Sequence, residues 1–112
     1  MPLEKWSDSI VVIHVADDPQ FSEDLEAAEN IKNPVRGVVL NFDTVRVVNS
    51  SNISALLRVR QQYIRDSVKL ILCNVRNTVW GTFLVTGLDQ IFQFSDNVPT
   101  ALATLKMSES PR

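Results

Sequence analysis

The chain has 112 residues, 45% hydrophobic and 21% charged, which suits one soluble globular domain over 1–112 and leaves no room for a second core. A net charge of −2 with scattered basic residues lacks the positive face of a nucleic-acid binder, so the local cluster Arg58, Arg60 and Arg65 reads as a solvated helix face. The single cysteine excludes an internal disulfide and points to a reducing compartment. With no leader-like or membrane-length apolar run, a cytoplasmic location without membrane insertion is expected.

In chain order, Leu3–Trp6 is expected as a short edge strand and Ser7-Asp8-Ser9 as a turn. The β-branched run Ile10–Ala16 is continuous rather than alternating, which predicts a central strand covered on both faces. Asp17-Asp18-Pro19 then predicts a helix start, with Asp18 as N-cap and Pro19 at the first helical position. Phe21, Leu25 and Ala28 fall on one face of that helix with Ile31 at its edge, and Asn33-Pro34 ends it.

A second buried strand covers Val35–Phe42, and Asp43–Val48 links it to a helix opened by Asn49-Ser50-Ser51-Asn52. Ile53, Leu56, Leu57 and Ile64 form the stripe of that helix, with Tyr63 beside them. Arg60 falls near the middle of the stripe, which requires it to snorkel or the helix to be rotated from this reading. Lys69–Cys73 is a third strand, with Cys73 as a buried, inert thiol.

Thr78–Thr86 is a third helix, with Val79, Trp80, Phe83 and Leu84 inward and Gly87 as its C-terminal cap. Ile91–Phe94 is a last short strand. Asp96 or Asn97 caps a final helix with Pro99 in its first turn and Leu102 and Leu105 inward, and 107–112 is a frayed tail beyond an ordered core of about 3–106. The order β-β-α-β-α-β-α-β-α predicts an α/β fold: a mixed, mostly parallel sheet of about four to five strands with surrounding helices, the first hairpin supplying an antiparallel edge.

In such sheets the loops beyond the carboxyl ends of the strands meet ligands and partners. Here they are Asp17–Pro19, Asp43–Ser51 and Asn74–Asn77. Asn49-Ser50-Ser51-Asn52 stands at a helix N-terminus, where free N–H groups and the helix dipole favour negative charge. A phosphate on a serine there would be held by those donors and would change the surface by about two charges. Simple capping by a serine is the plainer reading, and the two are compatible.

Enzymatic signatures are missing. The chain has three glycines, with no G-x-x-x-x-G-K-[ST] loop and no G-x-G-x-x-G turn. His14 is the sole histidine and lies within a strand, so it reads as structural, and no second His or Cys stands ready to complete a metal site with it. Asp17, Asp18 and Asp43 share one sheet end, as the acidic residues of a phosphoacceptor receiver domain do, but Asn74–Asn77 supplies no lysine.

Two stretches carry a resemblance. Gly37–Asp43 followed by Val47-Val48-Asn49-Ser50-Ser51-Asn52-Ile53-Ser54-Ala55-Leu56-Leu57 is an apolar strand, a short link, then a serine pair leading into an apolar helix. Thr86-Gly87-Leu88-Asp89-Gln90-Ile91-Phe92 is the second. From about Ile10 to Leu105 the chain resembles the STAS domain family, named for sulfate transporters and anti-sigma factor antagonists, whose pattern at the serine pair is Asp-Ser-Ser-Gly. The resemblance implies a regulatory module without cofactor or metal that binds an ATP-dependent anti-sigma kinase and releases it on phosphorylation of the first serine. Ser50 is then the phosphoacceptor, with Ser51 the second choice. Asp17, Asp18, Asn49, Ser50, Ser51 and Asn52, with Arg76 across the loop, form the docking surface. Asn49 and Asn52 stand where the family has Asp and Gly, which leaves a second reading open: a non-phosphorylated STAS scaffold of a signalling assembly or of a membrane transport system. The sequence does not choose between monomer and dimer.

Overall fold

The computed structural model describes residues 3–31 and 35–109. Five strands, β1 (Leu3–Lys5), β2 (Ile10–His14), β3 (Gly37–Asn41), β4 (Lys69–Cys73) and β5 (Gln93–Ser95), form one sheet in the order β1-β2-β3-β4-β5. β1 is antiparallel to β2, and the remaining neighbours pair in parallel. The helices are α1 (Gln20–Glu29), α2 (Ser50–Arg65), α3 (Asn77–Thr86) and α4 (Val98–Glu109), with a 3₁₀ turn at Leu88–Gln90. The mixed, mostly parallel α/β sheet expected from the sequence is the one observed.

The pleat divides each strand between two cores. Val11, Ile13, Val38, Leu40 and Leu72 face the larger core, against α1, α2 and α3. Ile10, Val12, Val39, Ile71 and Cys73 face a smaller one, closed by Ala101 and Leu105 of α4. Both faces of β2 and β3 are therefore covered, which is why their sequences run apolar without alternation. At Gly37 a Cβ would come within 2.9 Å of a Leu105 methyl, so the missing side chain lets α4 settle on the sheet. An aromatic chain runs through the larger core: Phe21, Phe42, Phe83 and Phe94 stand 5.8–6.2 Å apart in succession, and Trp80 meets Phe94 edge-on at 4.9 Å.

Several local expectations are corrected. Asp18 does not cap α1: the helix begins at Gln20 after Pro19, and no side chain caps it. Asn33-Pro34 lies outside the described residues, and α1 already ends at Glu29. The inner face of α2 is Asn52, Ala55, Leu56, Val59 and Tyr63, rotated from the predicted stripe. Leu57 and Ile64 are exposed, and Arg60 lies at the edge with its Nε donating to the Ile91 carbonyl at 3.2 Å. Tyr63 fixes the rotation from inside, its hydroxyl donating to the Ala28 carbonyl at 2.8 Å.

On α3, Val79 and Phe83 are buried, but Leu84 is half exposed. Gly87 ends α3 in the left-handed conformation at φ 78°, as its C-cap role requires. The last strand begins at Gln93 rather than Ile91, since Leu88–Gln90 first makes a 3₁₀ turn. Asn97 caps α4, its Oδ1 accepting from the Thr100 N–H at 2.9 Å. Met107–Glu109 belongs to α4 rather than to a tail.

Candidate functional site

The turns after β2 and β3 interlock at the carboxyl end of the sheet. Asp17 Oδ1 accepts from the backbone N–H groups of Arg46 and Val47 at 2.9 and 3.3 Å. Asn49 is the N-cap of α2, its Oδ1 accepting from the Asn52 N–H at 2.8 Å, while Asn52 Oδ1 accepts in return from the Asn49 N–H at 3.0 Å. This is a reciprocal capping box with asparagine at N3 in the place of the usual Glu or Gln. The two free amide groups then donate to one carboxylate: Asn49 Nδ2 reaches Asp18 at 2.8 Å, and Asn52 Nδ2 reaches it at 3.2–3.3 Å. Asp18, expected to start α1, instead ties α1's approach to the start of α2.

This arrangement decides what the serines do. Capping falls to Asn49, so Ser50 and Ser51 are the first two residues of the helix and both are exposed. Among the described residues neither hydroxyl has a hydrogen-bond partner. The orphan N–H groups of the first turn surround them. Of the predicted docking residues, Asn52 is the exception: at 2% exposure it cannot meet a partner, and it acts only by holding Asn49 and Asp18. Ser51 and Ser54 line one wall of a groove of about 440 Å³ between α1 and α2. Glu23, Glu26 and Glu29 line the other, and Arg58 reaches Glu29 at 3.5 Å. Val47, which sequence reasoning passed over, is 66% exposed on the loop between the serines and Arg46.

The adjoining loops are held by a second network. Asn41, at the end of β3, accepts through Oδ1 from the Asp43 N–H at 3.1 Å and from Asn74 Nδ2 at 2.9 Å. Its Nδ2 therefore points to His14 Nδ1, 2.9 Å away, which must accept. His14 Nε2 is then the donor, to Glu4 at 2.9 Å. His14 is thus a structural histidine with both ring nitrogens engaged, though at a half-exposed strand end. Arg76 Nε donates to the Asp43 carbonyl at 2.8 Å and Thr78 Oγ1 to the Arg46 carbonyl at 2.8 Å, which places Arg76 against the loop after β3.

Asp17, Asp18 and Asp43 share this end but do not converge: two are spent on separate partners, and among the described residues no three His, Cys, Asp or Glu side chains could together hold a metal ion. Cys73 is fully buried, and burial first, then the charge of Asp43, pushes its thiol up to about 11, away from nucleophilic use. One buried acid escaped the sequence reading. Asp24 of α1 is 1% exposed, and its Oδ2 accepts from the Ala16 N–H at 3.0 Å. Its Oδ1 has no partner among the described residues. Burial raises its pKa above the ordinary carboxylate value, the Ala16 bond opposes that, and Glu23 adds to the rise.

With this geometry in place, the chain can be set beside known proteins. The model for the STAS domain matches residues 10–101. No curated protein matches the chain in sequence. An anti-sigma-factor antagonist (STAS) domain protein from Planctomyces limnophilus is 18% identical, with 93% of this chain and 97% of that one covered and a TM-score of 0.77. A serine-to-glutamate form of RsbS from Moorella thermoacetica is 19% identical, covering 98% and 100%, with a TM-score of 0.76. A sulfate transporter family protein from Wolinella succinogenes is 18% identical, covering 88% and 84%, with a TM-score of 0.75. At these identities the likeness is one of fold. Among the described residues no helix is long and apolar enough to cross a membrane.

Proposed function

The chain belongs to the STAS domain family, and on that premise we propose that it is a protein-binding regulatory module of the anti-sigma factor antagonist kind, a binder rather than an enzyme. Its partner in this reading is an ATP-dependent anti-sigma kinase met in the cytoplasm. The docking surface is the accessible part of the loop end: the exposed Asp18, Val47, Asn49, Ser50, Ser51 and Arg76, with the half-buried Asp17 at its base. Ser50, with Ser51 second, is the residue at which a phosphate would end binding, by adding charge and a hydration shell to the middle of that surface.

The observation that carries this reading is the division of labour at the start of α2. Asn49 and Asn52 supply the cap of the helix, so two exposed serine hydroxyls stand uncommitted beside the remaining free N–H groups of the first turn. A serine needed as the cap would lose a structural bond on modification; these serines would not. The test uses wild type and Ser50→Asp as parallel baits in a native lysate. The expected result is an ATP-binding anti-sigma kinase captured by wild type and lost with the variant, together with a phosphate located on Ser50 by mass spectrometry after incubation with kinase and ATP. Equal capture by both baits would overturn the switch.

The second reading, a non-phosphorylated scaffold in a signalling assembly or beside a membrane transporter, draws on Asn49 and Asn52 in place of the family's Asp and Gly. The sulfate transporter protein among the structural relatives favours it too. In that case the Asp18–Asn49–Asn52 cluster serves as a fixed docking corner, and Ser50→Asp leaves partner capture unchanged.

A further inference from the structure

We propose that the cavity at the carboxyl ends of β4 and β5 is a socket for one guanidinium side chain of a protein partner. It deepens the protein-binding reading above by naming what that partner presents. The cavity holds about 270 Å³ and is lined by Asn74, Val75, Trp80, Phe94, Ser95 and Asp96. That lies just below the range of about 300–1,000 Å³ in which small-molecule sites fall, and suits a single long side chain.

Its chemistry selects the occupant. Trp80 and Phe94 meet edge-on at 4.9 Å, so two aromatic walls stand at right angles in the lining. Around them the polar groups accept more than they donate. Asn74 spends its amide nitrogen on Asn41, which leaves its Oδ1 free for a donor. The Ser95 hydroxyl and the Asp96 carboxylate have no hydrogen-bond partner among the described residues. A carboxylate, a carbonyl oxygen and a hydroxyl beside aromatic rings call for a cation with several N–H donors and a flat face. Guanidinium supplies both, whereas a carboxylate or phosphate would face Asp96. Arg76 does not fill this need: it lies beyond Val75 in the neighbouring groove with Arg46, and its Nε is bound to the Asp43 carbonyl.

N-acetyl-arginine amide, with the matching citrulline amide as its neutral isostere, is the probe to titrate into nitrogen-labelled protein followed by amide and indole NMR signals. Saturable shifts are expected at the Trp80 indole N–H and the backbone of Asn74, Ser95 and Asp96. The citrulline compound should bind roughly tenfold more weakly, as should arginine amide to Asp96→Asn, whose own spectrum checks its fold. The socket is overturned if no saturable shift occurs, if citrulline or Asp96→Asn binds equally, or if the shifts fall instead on the Glu23–Glu26–Glu29 groove. None of these readouts involves Ser50 or a kinase, so the socket and the phosphorylation switch can fail separately.

Discussion

The two halves of the sheet's carboxyl edge differ in how their polar groups are spent. On the β2–β3 side, Asp17, Asp18, Asn49 and Asn52 satisfy one another and the local backbone, and a pair of hydroxyls is left unbonded on the first turn of α2. On the β4–β5 side, acceptors at Asn74, Ser95 and Asp96 stand around an aromatic-walled cavity with little to accept from. The first half is a hydrogen-bonded platform that presents two exposed hydroxyls; the second is a cavity lined by acceptors. Asn41 joins them, its one carbonyl oxygen holding both Asp43 and Asn74. A partner spanning both would find one surface of fixed shape, with charge altered only at the serines.

If the platform is self-satisfied, breaking its most buried member should cost most. Asn52→Leu removes one of the two amide donors to Asp18, strands the Asn49 N–H and abolishes half of the capping box, while Asn49 still donates to Asp18 and still caps the helix. A loss of about 2 kcal/mol is expected, as for removing a buried side chain's hydrogen bonds to a charged group and to a part-buried N–H. Urea unfolding should show it as a lower midpoint at unchanged slope. A loss under about 0.5 kcal/mol, the size of an ordinary surface substitution, would mean that the cluster is not a structural unit.

The next effect concerns the departure from the family's Asp-Ser-Ser-Gly. Asn49→Asp keeps an excellent cap oxygen but turns the group that donates to Asp18 at 2.8 Å into a second carboxylate. Despite a favourable helix dipole, the variant should be less stable than wild type by about 1 kcal/mol at neutral pH, screened because Asp18 is exposed. Asp18→Asn in the same chain should restore it, a coupling read by a double-mutant cycle. Additive effects would show that the two side chains do not interact in solution. The amide at position 49 is thus matched to Asp18, a residue 31 positions earlier.

That pairing marks the limit of what was legible beforehand. β-branched runs gave the strands, Gly87 gave the end of α3, and the serine pair at a helix start was visible as a motif. The partner of Asp18 was not, because a local pattern makes Asp-Pro a helix start, while the competing acceptor need lay in another turn. The only signal was the pair Asn49 and Asn52 at capping-box spacing, read as a departure rather than a structure. Leu57 and Ile64 are exposed for a different reason: hydrophobicity ranks them inward, but Ala55, Val59 and Tyr63 fit the space between α2 and the sheet. Asp24 was invisible since a charged residue on a helix is ordinarily exposed.

Asp24 is also the one flaw in the platform side, and it gives a smaller, pH-dependent effect. A carboxyl whose folded pKa lies above its unfolded value, here 3.8, binds more protons when folded between the two values. Stability therefore falls as pH rises from the unfolded value through the folded one. Asp24→Asn cannot ionise, and its Oδ1 can still accept from the Ala16 N–H. Measured by urea unfolding at a series of pH values, the wild type should lose stability relative to this variant across that window. Parallel curves would mean that Asp24 ionises as freely in the fold as outside it.

The smallest effect separates the platform from what it presents. Ser50→Ala and Ser51→Ala each remove a hydroxyl that has no partner among the described residues, from exposed helical positions that alanine also favours. Each should change stability by no more than about 0.5 kcal/mol, whereas Asn49→Ala, one residue earlier, should cost about 1 kcal/mol through the lost cap. Thermal unfolding of the three variants side by side reads the contrast. If Ser50→Ala costs as much as Asn49→Ala, the hydroxyl is structural after all, and a phosphate placed on it would act by loosening α2 rather than by changing the surface a partner meets. If only Asn49→Ala costs, the serines are free to be modified without disturbing the fold that holds them out.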